Sequence, residues 1–155
     1  MKKLTMVLGA VLLVASGAAA ESALFKKLEP LAGTWEATVK GQKVRTVITY
    51  ASHGSVLIEN MLPDSENMVN LIHAAADKVM ITHYCAGGNQ PRYRASRFDG
   101  NKVDFKFFDG TNLGKEFMSG VSMTLVDEDH FVEEWRVTKD GKESPDVRFE
   151  YSRVK

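Results

Sequence analysis

Trp35-Glu36-Ala37-Thr38-Val39-Lys40-Gly41-Gln42-Lys43-Val44-Arg45-Thr46-Val47-Ile48-Thr49-Tyr50 is the stretch whose reading decides the fold. Trp35, Ala37 and Val39 alternate with Glu36, Thr38 and Lys40. After the Gly41-Gln42 turn, Val44, Thr46, Ile48 and Tyr50 alternate with Arg45, Val47 and Thr49. A period of two with polar residues opposite apolar ones is the signature of a half-buried strand, and a glycine between two such runs makes them a hairpin.

The pattern continues to the end of the chain. Val56–Leu62, Met68–Ala74, Val79–Cys85 and Arg92–Phe98 read as strands, as do the alternating runs at Val103–Phe107, Val121–Leu125, Phe131–Thr138 and Val147–Tyr151. Turn signals separate them, at His53-Gly54, Pro63-Asp64-Ser65, Ala76-Asp77, Asp99-Gly100-Asn101, Asp127–Asp129 and Asp140-Gly141. Asp109–Ser119 is the longest stretch expected to be irregular. About ten short strands joined by tight turns predict an all-β, up-and-down antiparallel barrel, in which closure removes the unpaired edges. Leu24, Leu28 and Leu31 recur at helical spacing ahead of it. They predict a short helix over Ser22–Leu31, capped by Ser22 and ended by Pro30 and Gly33.

The first twenty residues read as a cleavable signal peptide. Lys2 and Lys3 open it, Leu4–Ala15 is apolar apart from Thr5 and Gly9, and Ala18 and Ala20 form an A-x-A site. The run is well short of the ~20 residues of a spanning helix. Cleavage would leave residues 21–155, a single domain with 18 basic and 20 acidic residues. That slightly negative chain has no basic run, so nucleic acid is not an expected partner. The expected location is periplasmic or secreted, with no membrane span after cleavage. Charges at Glu36, Lys40, Arg45, Asp104, Lys106, Glu134 and Arg136 lie opposite the apolar stripes, where a barrel in an outer membrane would face lipid. The only cysteine, Cys85, has no intrachain partner, and outside the cytoplasm it must be sheltered or used.

Gly33-Thr34-Trp35 after a short helix resembles the G-x-W motif of lipocalins and other calycins. That resemblance implies a tryptophan packed across the closed end of the barrel, against an arginine of the last strand. Arg153, in phase with Val147, Phe149 and Tyr151, is the matching residue. Thr82-His83-Tyr84-Cys85-Ala86-Gly87-Gly88-Asn89-Gln90-Pro91-Arg92 is similar to a segment of a family of uncharacterised bacterial exported proteins. Phe131-x-x-Glu134-Trp135 extends the likeness. It implies a lipocalin-like barrel without an assigned activity.

The Thr82–Arg92 segment is the candidate site. His83 and Cys85 share a face with Val79 and Ile81, their Cβ atoms roughly 6–7 Å apart. Three readings compete. In the first, a small hydrophobic or amphipathic ligand enters the barrel, His83 and Cys85 line the wall, and Asn89, Gln90, Arg92 and Arg94 read its polar end. In the second, the same polar groups only satisfy the loop and the surface. In the third, His83 and Cys85 hold a metal or haem, or form a histidine-activated thiol. His73 is the third ligand for that reading: a two-residue turn at Ala76-Asp77 pairs it with Met80 and turns it away from His83, whereas a one-residue shift puts the two on the same face, and the sequence does not choose between them.

Glu133, between Phe131 and Trp135, points into the barrel, where it pairs with Arg94 or Arg153 or binds a polar part of the ligand. Asn60 points inward with Val56 and Ile58. A one-residue error in strand parity would turn Glu59 and Glu134 inward instead. Trp135, Phe105, Phe107, Phe149 and Tyr151 read as core. No phosphate loop, serine triad, paired-carboxylate motif or metal-ligand spacing is present, so the sequence favours a binder over an enzyme and names no cofactor.

Overall fold

A computed structural model describes residues 23–62, 64–95 and 97–155. The signal peptide and the Ser22 cap lie outside the described residues. Eleven strands follow in chain order: β1 (Gly33–Val39), β2 (Gln42–Ala51), β3 (Val56–Met61), β4 (Met68–Ala75), β5 (Lys78–Tyr84), β6 (Gln90–Ala95), β7 (Phe98–Asp99), β8 (Lys102–Thr111), β9 (Glu116–Leu125), β10 (His130–Lys139) and β11 (Lys142–Arg153). Each pairs antiparallel with its neighbour in sequence, except that two-residue β7 only folds back on β8. The pairs β6–β8 and β1–β11 close the sheet into a ten-stranded barrel. The meander expected from the alternation is therefore present, and its helix-plus-barrel architecture is compatible with a calycin-like fold.

Ahead of β1 the helix is shorter than expected. Residues Ala23–Lys26 form α1, and Glu29–Leu31 form one turn of 3-10 helix. Pro30 has no N–H to continue an α-helical ladder, so the chain tightens and stops. Phe25, Leu28 and Leu31 are fully buried and seal this end of the barrel. The Trp35 indole N–H donates to the Leu31 carbonyl at 2.7 Å, and its ring meets Phe131 edge-on at 4.7 Å.

The Arg153 guanidinium lies 4.0 Å from the centre of the Trp35 ring. It donates to the carbonyls of Pro30 (2.8 Å), Ala32 (2.9 Å) and Glu128 (2.9 Å). A cation on an indole face, with its N–H groups spent on backbone, ties the entering chain to the last strand. Gly33 is required at this crossing. It sits at φ +148°, and a Cβ there would run into the Arg153 guanidinium.

Three local expectations are corrected. Asp109–Ser119 is mostly strand, because β8 runs to Thr111 and β9 starts at Glu116. Gly110, a loop signal in the sequence, is instead a close approach: a Cβ on it would lie 3.0 Å from both the Gln90 carbonyl oxygen and Pro91 Cα. Phe107 leaves the core and is 40% exposed. Arg92 pairs with Asp109 but Tyr93 with Phe107, so Phe108 bulges and the inward phase of β8 is lost beyond Phe105. In β3 the buried side chains are Leu57, Glu59 and Met61, so Asn60 faces outward. Val56, Leu57 and Ile58 are all apolar, and such a run carries no parity of its own.

Arg153→Met is expected to lower the unfolding free energy by about 2–4 kcal/mol in urea with little change in slope, because it strands three backbone acceptors. Arg153→Lys should fall between the two. A loss under ~0.5 kcal/mol would mean the end seal does not depend on this residue.

Candidate functional site

A row of polar side chains crosses the inside of the barrel. Glu59 on β3 is paired in register with Asn70 on β4, and Asn70 with His83 on β5. Thr46 reaches them from β2, and Glu133 and Trp135 from β10. Thr46, Glu59, Asn70, His83 and Glu133 are each at most 1% exposed. Buried polar groups persist in an apolar interior only as a connected set. The Thr46 hydroxyl lies 3.0 Å from Glu59 Oε1 and 3.1 Å from the Asn60 carbonyl oxygen, which share its one proton, and Asn70 Nδ2 donates to Glu59 Oε2 at 2.7 Å. Asn70 Nδ2 also lies 3.1 Å from Met61 Sδ. The Asn70 carbonyl oxygen is 2.7 Å from His83 Nδ1.

Glu133 completes the set. It is hydrogen-bonded to Glu59, its Oε2 accepts the Trp135 indole N–H at 3.2 Å, and its Oε1 finds no donor. Burial and the adjacent Glu59 charge hold the Glu133 carboxyl well above the usual carboxylate range. Burial also raises Glu59, but hydrogen bonds from Asn70, Thr46 and Glu133 oppose that rise. Of the pair Glu133 is raised further and keeps its proton to the higher pH, with Glu59 the partner that accepts from Asn70.

The donors fix His83. With Asn70 Nδ2 spent on Glu59 and Met61, its oxygen faces His83, so Nδ1 must carry a proton. Burial pushes the His83 pKa down to about 4, so the ring is neutral near pH 7 and holds only that proton. Nε2 therefore presents a bare lone pair, buried and without a partner. Trp135 supports the ring, with centroids 4.9 Å apart.

His83, with this nitrogen buried, lines a cavity of about 320 Å³ at the end of the barrel opposite α1. His83, Trp135 and Met61 are its deepest lining residues. Val44, Met68, Met118, Val147 and Phe149 form apolar walls, with Cys85 half-buried beside them. Lys40, Glu66 and Asp146 stand at the rim. A larger hollow of about 500 Å³ lies on the outer face among Arg94, Arg97, Lys102, Lys106 and Arg136, where Asp99 and Asp104 oppose the cations.

Of the candidate ligand-binding residues, His83 and Cys85 line the cavity and Glu133 is buried without lining it. Asn89, Gln90, Arg92 and Arg94 do not line the cavity. Arg92 and Arg94 flank Tyr93, which is fully buried, and so point outward. Arg92 holds Asp109 through two bonds of 2.5 and 2.6 Å, and Arg94 stacks 4.0 Å over Phe108. Gln90 donates to the Gly88 carbonyl and accepts from Thr111 and Asn112. Asn89 is buried in the loop, where its backbone carbonyl accepts from the Cys85 N–H at 3.1 Å. Neither Arg94 nor Arg153 joins Glu133, whose partners are Glu59 and Trp135. His73 pairs with Met80 and faces away from His83. Among the described residues, no three His, Cys, Asp or Glu side chains are grouped to share a metal ion.

Sequence reasoning missed Asn70 and Thr46. Asn70 did leave a signal: an amide between Val69 and Leu71, in phase with Ile72, is disfavoured in a strand unless its side chain has a task. No protein-family model and no curated protein matches the chain.

Folding takes up a proton at Glu133 between the ordinary carboxyl pKa of 4.5 and its raised native value. Stability therefore falls as pH rises through that window. His83 acts in the opposite sense: stability is lost as pH falls from 6.5 towards about 4. Glu133→Gln, neutral throughout, should match the parent near pH 4 and exceed it by a margin that grows as pH rises towards 8 in denaturant melts. A constant difference between the two proteins across that range would show that Glu133 is not the protonated partner.

Proposed function

We propose that the protein is exported and works outside the cytoplasm as a barrel that binds a small hydrophobic or amphipathic molecule. The single observation that carries this reading is the unpartnered His83 Nε2 deep in an apolar cavity. An orphaned buried acceptor costs ~1–3 kcal/mol, and a ligand donor would recover it. A cavity of about 320 Å³ falls at the small end of the range for ligand pockets. The basic, apolar and A-x-A segments of residues 1–20 support export, and the likeness of Thr82–Arg92 to exported bacterial barrels points the same way.

The metal, haem or thiol reading uses the same imidazole together with Cys85. Binding is favoured over it because the remaining wall is largely apolar and, among the described residues, no three His, Cys, Asp or Glu side chains are grouped around that imidazole. Asn89, Gln90, Arg92 and Arg94 are assigned to the loop and the outer surface, with His83 as the polar contact.

Native mass spectrometry of the protein purified from its own host should show a bound small molecule. Saturable 2-naphthol binding, followed by fluorescence, should slow iodoacetamide modification of Cys85. Met118→Trp, which fills the wall, should abolish both effects while the protein stays folded. An empty protein with no saturable binding and an unprotected Cys85 would overturn the reading.

A further inference from the structure

We infer that the cavity selects neutral molecules that present a hydroxyl or N–H donor to His83 Nε2, and that it rejects the carboxylate built on the same apolar body. This inference rests on the cavity being the ligand site.

The selection follows from the direction of the hydrogen bonds. The donors in the row are turned away from His83 Nε2: the Thr46 hydroxyl towards Glu59 and the Asn60 carbonyl, and the Asn70 amide nitrogen towards Glu59 and Met61. The Asn70 carbonyl then takes the only proton a neutral His83 carries. What reaches the cavity from this chain is an acceptor. A ligand hydroxyl complements it, a hydrocarbon leaves it unpaired, and a carboxylate sets lone pair against lone pair.

Charge acts in the same sense. The row sets two buried carboxyl groups, Glu59 and Glu133, behind His83, in a medium that screens poorly. None of the deep lining residues is a cation, and the one basic residue at the rim, Lys40, stands with two acids, Glu66 and Asp146. His83 gives no relief by ionising, because burial holds it neutral. A buried carboxylate head group is best held by an arginine or lysine. This interior has none, and its two nearest candidates are committed elsewhere, Arg94 on Phe108 and Arg153 on Trp35.

Three compounds with one body test this by calorimetry at pH 7.5: 4-propylphenol, 4-propyltoluene and 4-propylbenzoate. The phenol should bind at least ~10-fold more tightly than the toluene, and the benzoate should bind more weakly than either. In His83→Phe the phenol and toluene should bind within ~3-fold of each other. Because that variant removes a buried partner of Asn70, a measurement on the unaltered protein accompanies it: the His83 Nε2 nitrogen resonance should move with 4-propylphenol and stay with 4-propyltoluene. Equal affinities, a tighter benzoate or an unmoved resonance would overturn the selectivity and leave the cavity as a binding site. Failure of all three compounds to bind would instead remove the site itself, and the selectivity with it.

Discussion

The burial of the Glu59 carboxylate in the middle of an apolar barrel is the constraint on which the rest of the interior depends. A charge in that position survives only if donors surround it, and three are recruited from three other strands. Each recruitment has a consequence. Glu133 must remain an acid, Asn70 must turn its amide nitrogen towards Glu59, and His83 must give its one proton to the Asn70 oxygen. The polarity of the chain runs in one direction, from the cavity to Glu59, and it ends on the cavity side in a lone pair. The chemistry a visitor meets at His83 is thus set two side chains away.

The two ends of the barrel divide the work. At one end Trp35, Arg153 and the buried side chains of α1 and the following turn fill the opening, and the aromatic stack of Phe131, Tyr151 and Phe149 extends from that plug along β10 and β11. At the other, the hairpin turns surround a space lined by valine, methionine and phenylalanine. The polar row lies between plug and space. Its side chains come from strands paired on both sides, so their positions are held by the sheet and not by loops. Such placement gives a fixed acceptor, which suits recognition of one donor geometry more than accommodation of many.

The alternation in Trp35–Tyr50 made the barrel legible, because period-two patterning and tight turns leave a chain of this length few other arrangements. Gly33, Trp35 and Arg153 were legible as a set through the resemblance to the lipocalin G-x-W motif, with Arg153 in phase with Val147, Phe149 and Tyr151. Three kinds of information were missing. Gly110 looked like a loop residue, since close backbone approach and flexibility leave the same mark in a sequence. The phase of β3 was hidden by Val56-Leu57-Ile58, so Asn60 was placed inside and Glu59 held only as its alternative. The site itself could not be assembled, because its members come from β2, β3, β4, β5 and β10 and meet only once register is known. Arg92 and Arg94 illustrate the converse. Their closeness in sequence to His83 suggested a shared role, yet strand alternation puts them on the opposite face of the sheet.

The account stands on the state of one imidazole. Nitrogen NMR of the His83 ring between about pH 8 and pH 4 reads that state directly. The prediction is a neutral ring with its proton on Nδ1 and a bare Nε2, unchanged until it titrates at about 4. A proton on Nε2, or a charged ring near neutral pH, would contradict it.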